Sequence, residues 1–281
     1  MKVKQILGIK YVRAKIKFLS VLSSDKAAAE AFRLFQTPQP AAEKPAPPAF
    51  SYAEKLFIKI NDLRIRGYRW NKGGDKRLLI LHGFSSCAFK FHHYILPFIE
   101  KGYEVIAFDA PAHGKSEGVT VNAIEYAKMI EKVTKTYGPI HSFLAHSLGG
   151  LALCLALEKT GHHYNTRIVL IAPATETTTA INKAFTMLGI TNKSVRAAFD
   201  KLIVSKTGHT AQWFSIKRMI GKITAPILWI HDETDTITPL SDALAVKALQ
   251  LPQVQFVITH GLGHRRIYRD EEVKQQVINF L

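Results

Sequence analysis

Residues 142–160 read Ser-Phe-Leu-Ala-His-Ser-Leu-Gly-Gly-Leu-Ala-Leu-Cys-Leu-Ala-Leu-Glu-Lys-Thr. The apolar run Ser142–Ala145 has the length of a buried strand, and Leu148–Thr160 has the length of a helix. Ser147 stands at the junction, with too few residues around it for anything but a tight turn. A strand–turn–helix with serine at its tip is the context of a nucleophile elbow, where the turn holds the hydroxyl out of the sheet. The turn requires small neighbours, because the strand and helix backbones pass close together. Gly149 meets that need on one side; on the other, Ala145 adds a methyl group to a crowded turn. The plainer alternative is that Ser147 only caps the helix. Leu151, Leu153, Leu155 and Leu157 make that helix apolar nearly all round, so it should be buried.

Working outward, short apolar runs alternate with helical stretches from about residue 51 to the end. That alternation is the signature of an α/β domain with a mainly parallel sheet. Candidate strands are Leu56–Ile60, Ile65–Trp70, Leu78–Leu81, Val105–Phe108, Ser142–Ala145, Ile168–Ile171, Ile227–Ile230 and Val254–Thr259. The first two, split by Asn61-Asp62, read as an antiparallel pair. Helices are expected at Phe89–Lys101, Asn122–Tyr137, Leu148–Thr160, Leu240–Leu249 and Glu271–Phe280. Thr175–Lys222 has no strand character and reads as a helical insertion. There is no internal repeat.

In such a sheet, reacting groups gather at the carboxyl ends of the strands. A serine hydroxyl needs a base to accept its proton. Of the twelve histidines, His264 in Gly261-Leu262-Gly263-His264 is favoured, because the glycines free its loop to reach the elbow. His260 competes. The imidazole needs a carboxylate to hold its tautomer. Asp235, deep in the loop after Ile227–Ile230, has room to reach His264, and Asp232 and Glu233 are alternatives nearer the strand end. The order Ser147, Asp235, His264 is the one expected of this architecture. An oxyanion would need N–H donors already in place; the backbone of Leu148 in the elbow and of Phe84 after His82-Gly83 can supply them. His82 reads as a structural loop residue, and Asp109 as a fastener of the loop Asp109–Gly118.

Together, His82-Gly83-Phe84, Asp109-Ala110-Pro111-Ala112-His113-Gly114-Lys115-Ser116, Ala145–Gly150, the Asp235 loop and His264 resemble the α/β-hydrolase superfamily. The closer likeness is to its bacterial monoacylglycerol-lipase-like and esterase-like members, over residues 51–281. The resemblance implies an eight-stranded, mostly parallel sheet flanked by helices, and a small helical cap over residues 175–222. It also implies a Ser147–His264–Asp235 triad cleaving carboxylic esters of small molecules, with no cofactor and no metal. Ala145 and Ala112 depart from the usual glycines. Thioesters, amides and carbon–carbon bonds suit the same triad, and a ligand-binding protein on this scaffold is a further alternative.

The composition sets bounds. Two cysteines, Cys87 and Cys154, build neither a disulfide framework nor a cysteine-rich zinc site, and they fit a reducing, cytoplasmic compartment. No run of 18 apolar residues is present, so no transmembrane helix is expected. The net charge of +16 invites anionic partners, but no nucleic-acid module accompanies it, and nucleic acid is not expected. Gly114-Lys115-Ser116 mimics a phosphate loop, yet Asp109 stands where such a loop needs glycine. His162-His163 and the cluster at His231 lack metal-ligand spacing. Residues 1–50 form a basic extension: Lys2, Lys4, Lys10, Arg13, Lys15 and Lys17 precede the first acid, Asp25. Ile9, Val12, Ile16 and Leu19 share one helical face, and a second helix, Asp25–Phe35, is capped by Ser24. Five of the twelve prolines lie between Pro38 and Pro48 and read as an extended linker. Phe18–Leu22 is too short for a signal peptide. Packing on the body is favoured for this extension, with peripheral contact of residues 1–20 on an anionic membrane as the alternative.

Overall fold

Strands that are apolar at consecutive residues demand a sheet covered on both faces. In the computed structural model, which describes residues 3–39 and 45–281, such strands form the middle of one eight-stranded sheet. The strands are β1 (Glu54–Ile60), β2 (Leu63–Trp70), β3 (Lys76–Leu81), β4 (Tyr103–Phe108), β5 (Ser142–His146), β6 (Arg167–Ile171), β7 (Ile227–Asp232) and β8 (Val254–Thr259), in the order β1-β2-β4-β3-β5-β6-β7-β8. Every residue of β4, β5 and β7 is buried, whereas β1, at the edge, alternates. β2 runs antiparallel to both β1 and β4, and all other pairs are parallel. Asn61 and Asp62 join β1 to β2 with φ of 45° and 67°, which suits the right-handed twist of a hairpin.

The helices are α1 (Val3–Leu22), α2 (Ser24–Gln36), α3 (His92–Glu100), α4 (Ala123–Tyr137), α5 (Leu148–Thr160), α6 (Thr177–Leu188), α7 (Lys193–Thr207), α8 (Ile216–Met219), α9 (Leu240–Lys247), α10 (Gly263–Arg266) and α11 (Glu271–Phe280). Three helix starts differ from the sequence reading, and the expected helix 240–249 ends two residues early, at Lys247. The expected helix 89–101 divides into a 3-10 turn, Ala88–Phe91, followed by α3; Cys87 at its entry offers no capping side chain. Asn122 is the cap of α4 and not its first residue, reciprocally bonded with Glu125. The cap of α2 is Ser23, not Ser24, because Ser23 has the extended backbone that lets its Oγ accept from the Lys26 N–H. Of the proline-rich stretch, residues 40–44 lie outside the described residues, as does Lys2, and Pro48–Phe50 makes a 3-10 turn.

The chain divides into two units. The larger, Pro38–Thr175 with Ser215–Leu281, holds the whole sheet. Its core includes Trp70, Phe91, Tyr94, Phe98 and Val105. The smaller joins Met1–Thr37 to Glu176–Phe214, so the extension helices share a unit with two helices of the insertion. Within it, α1 packs on α2, and α2 on α7. Ile16 is buried together with Ala27, Ala28 and Ala31, small residues that let helices approach closely. The rings of Phe32, Phe35 and Phe185 surround Phe199 at 5.5, 6.1 and 5.0 Å. The Arg13 guanidinium donates twice to the Met187 carbonyl, tying α1 to the end of α6. Glu30 accepts from Arg33 and Lys15, and these partners pull its carboxyl down to about 2. No helix among the described residues is long and apolar enough to cross a membrane.

Candidate active site

Everything below lies in the larger unit. β5 delivers Ser147 at its end, with φ 53° and ψ −121°. This is a sparsely populated backbone region that costs an L residue about 1–3 kcal/mol, so the surroundings must hold it. The Ser147 N–H donates to Ile171 of β6, and its carbonyl accepts from Gly150 and Ala174. A Cβ at Gly149 would lie 2.7 Å from the His82 carbonyl oxygen and 2.8 Å from that of Leu81, and one at Gly150 would lie 2.7 Å from Pro173 Cβ. The helix therefore starts hard against the sheet, as the sequence demanded. The Ala145 methyl is fully buried between Leu81 and Leu170, and β5 keeps its register through it.

Ser147 makes no side-chain cap to α5. Its Oγ lies 3.1 Å from His264 Nε2, and His264 Nδ1 lies 2.7 Å from Asp235 Oδ2. Ser147, His264 and Asp235 are thus brought together from the turn after β5, the start of α10 and the loop after β7. Asp235 Oδ1 accepts from the N–H groups of Ile237 and Thr238, and its Oδ2 accepts from the Thr238 hydroxyl at 2.8 Å. Burial pushes the Asp235 carboxyl up, but the bonds from His264, Thr238 and Ile237 and the His264 charge together hold it below the usual range. It remains an anion facing the imidazole.

The competing residues go elsewhere. His260 is exposed and pairs with Glu233 at 2.9 Å. Asp232 accepts from Thr234, Thr259, Leu262 and Gly263, and so anchors the loop that leads into His264. Gly261 and Gly263 in that loop have φ of 73° and 60°, which glycine alone adopts freely.

Gly83 brings the loop after β3 against the elbow, since a Cβ there would lie 2.8 Å from Ser147 Cβ. Phe84 follows in the same loop, and Leu148 opens α5, where helix N–H groups have no partner within the helix. Two histidines brace this region. His82 Nδ1–H donates to the Gly83 carbonyl while Nε2 accepts from the Ala110 N–H. His113 Nδ1–H donates to Pro111 while Nε2 accepts from the Ser85 N–H. Burial pushes both imidazoles down to about 4, which keeps them neutral. Asp109 fastens the loop as expected, accepting from the N–H groups of Ala88 and Lys115, while Ser116 Oγ donates to its carbonyl.

Sequence reasoning missed three participants. Thr238, just described, has no local signature. His231 Nε2–H donates to the Thr238 carbonyl at 2.7 Å and steadies that turn. His146, directly before Ser147, donates from Nε2 to the His264 carbonyl at 3.0 Å, and its ring lies 4.7 Å from the His264 ring. Its place beside the elbow serine was the available signal. No cluster of three or more His, Cys, Asp or Glu that could hold a metal occurs among the described residues. Chemically, a hydroxyl within reach of an imidazole that is itself held by a carboxylate can be deprotonated as it attacks an electrophile.

The sequence profile of the family described as serine aminopeptidase, S33, matches residues 74–217, which include the Ser147 elbow. Among curated proteins, the chain is 30% identical over 176 residues to an uncharacterised abhydrolase domain-containing protein of Dictyostelium discoideum; the match covers 58% of this chain but only 19% of that protein's length. It is 22% identical to the monoacylglycerol lipase of Mycolicibacterium smegmatis, over 79% of this chain and 93% of that protein. Among solved structures, the Pyrococcus furiosus esterase Pf2001 superposes with a TM-score of 0.66 at 21% identity, over 87% of this chain and 95% of that one.

Proposed function

Because the chain belongs to the serine aminopeptidase S33 family of α/β-hydrolases, we propose that it is a serine hydrolase cleaving carboxylic esters through Ser147, His264 and Asp235. The observation that carries this reading is the continuous line of hydrogen bonds from Ser147 Oγ through His264 to Asp235. The likeness to a monoacylglycerol lipase and to an esterase supports esters as the bond type.

In the first half-reaction, Ser147 Oγ attacks the acyl carbon while His264 Nε2 takes its proton. Asp235 holds Nδ1–H and stabilises the imidazolium that forms. The N–H groups of Phe84 and Leu148 receive the oxyanion, each worth about 3–4 kcal/mol in the transition state. Collapse expels the alcohol with the proton from His264. A water then attacks the acyl-enzyme, deprotonated by the same imidazole, and frees the acid. The free thiols Cys87 and Cys154 suit a reducing compartment, and we place the enzyme in the cytoplasm.

The test is hydrolysis of p-nitrophenyl esters of increasing chain length by wild type and Ser147→Ala. The expected result is turnover that peaks at one length and falls by on the order of 10⁴-fold or more in the variant. Wild-type rates in Ser147→Ala would overturn the mechanism. No turnover and no labelling of Ser147 by a fluorophosphonate, in a folded protein, would overturn the enzyme reading in favour of a binding protein.

A further inference from the structure

Helix α1 carries two apolar stripes, and its own unit uses only one. Ile9, Val12, Ile16 and Leu19 form the covered stripe. On the other side, Tyr11, Phe18, Val21 and Leu22 are 70%, 65%, 83% and 60% exposed. At the turn of an α-helix, these four and Ala14 fall within a wedge of about 100°, roughly opposite the covered stripe. A single exposed leucine needs no explanation, but an aligned row of four large side chains does. Along one rim of the row stand Lys10 and Lys17, both exposed. Arg13 and Lys15 are occupied within the unit, by Met187 and Glu30.

We infer that this outward stripe is a docking surface for an anionic lipid bilayer. α1 lies in the plane of the interface, with Tyr11, Phe18, Val21 and Leu22 at the acyl boundary and Lys10 and Lys17 at the level of the lipid phosphates. Four observations select this occupant. The stripe runs along one helix, the shape that lies flat on a membrane. Two of its four members are aromatic, of the kind enriched at the membrane–water interface in the case of tyrosine. The lysines border the apolar row and do not interrupt it. The chain's net charge of +16 attracts an anionic surface and repels a second copy of itself. This surface is distinct from the Ile9 stripe on which a membrane contact would be drawn from sequence alone, and it does not depend on which bond the enzyme cleaves.

The experiment is co-sedimentation of the full chain with vesicles of phosphatidylcholine alone or with 30% phosphatidylglycerol, at about 0.05 and 0.5 M salt. Wild type is expected to bind the anionic vesicles and to release as salt rises. Phe18→Ser with Val21→Ser should weaken binding more than tenfold. Lys10→Glu with Lys17→Glu should weaken it at low salt, each lost lysine costing about fivefold. All substitutions are on the exposed face, so melting temperatures should stay unchanged, and the two pairs check one another should either fail to fold. No binding by wild type to anionic vesicles overturns the inference. Binding that survives both pairs of substitutions overturns it as well, because the lipid site then lies elsewhere. A dimer in solution that Phe18→Ser with Val21→Ser converts to monomer, without lipid binding, assigns the stripe to a second copy and overturns it too.

Discussion

Replacing Asp232 by Asn tests how the loop that carries His264 is held. Asp232 ends β7 and is fully buried. Its Oδ1 accepts from the Thr234 N–H at 3.0 Å, the Thr234 hydroxyl at 2.6 Å and the Gly263 N–H at 2.8 Å. Its Oδ2 accepts from the Thr259 hydroxyl at 2.8 Å and the Leu262 N–H at 3.0 Å. An amide of the same shape can keep its oxygen on the three-donor side, which leaves NH2 facing Thr259 and Leu262. The Thr259 hydroxyl can rotate and accept. The Leu262 N–H cannot, and an orphaned buried donor costs about 1–3 kcal/mol. The three bonds that survive lose the charge of their acceptor, at roughly 0.5 kcal/mol each. The expected loss is about 3 kcal/mol, or about 6–12 °C in melting temperature for a chain of this size.

The sign with pH follows from the same bonds. Burial alone would raise the Asp232 carboxyl, but its five donors outweigh that and hold it well below the usual range in the folded state. Its stabilisation is therefore present above about pH 4 and lost as pH falls through the folded value. Urea unfolding of wild type and Asp232→Asn should differ by about 3 kcal/mol at pH 7, with the gap narrowing as pH falls below about 4. Ester turnover should fall as well, because the loop no longer presents His264 firmly. A difference below about 0.5 kcal/mol at pH 7 would refute the claim that Asp232 fastens this loop.

Ala112 adopts φ 63°, a left-handed conformation that costs about 1 kcal/mol for alanine. Ala112→Gly should raise stability in urea by about 0.5 kcal/mol after the entropy of the freer unfolded chain is counted, and a loss would contradict this. Gly149→Ala would place its methyl within 2.8 Å of two backbone carbonyl oxygens. It should destabilise the fold by about 2–3 kcal/mol, and a wild-type melting curve would contradict the tight elbow. His82 and His113 titrate at about 4 when folded and near 6.5 when unfolded, so the unfolded chain binds more protons between those values. Stability should therefore drop by about 2 kcal/mol per histidine between pH 7 and pH 5, and a flat profile over that range would contradict the burial of these rings.

The sheet was legible because its signal is local. Each strand is a short apolar run bounded by polar or turn residues, and every expected strand is present with its ends moved by no more than two residues. The elbow was legible for the same reason, since close approach dictates small residues at fixed positions around Ser147. Caps were read to within one residue and no better: Ser23 and Ser24 are chemically alike, and only the extended backbone of Ser23 decides between them. The association of α2 with α7 was not legible. It joins segments more than 150 residues apart through Phe199, and nothing within either segment announces its partner.

The histidines show where sequence reasoning stops and why. A histidine beside a glycine or proline in a loop can be a base or a brace, and the residue type does not distinguish them. The structure separates them by what each nitrogen meets. His82 and His113 each donate to a backbone carbonyl and accept from a backbone N–H. His231 donates to Thr238 and accepts from the Trp229 indole. With both nitrogens committed and burial opposing charge, these rings are rigid neutral spacers. His264 differs in kind: one nitrogen faces a buried carboxylate and the other a hydroxyl, so it can take a proton without breaking a backbone bond. The braces and the proposed base are thus complementary. Neutral rings fix the loops around Ser147 without adding positive charge, and under the proposed mechanism an imidazolium on His264 would be balanced by Asp235 alone.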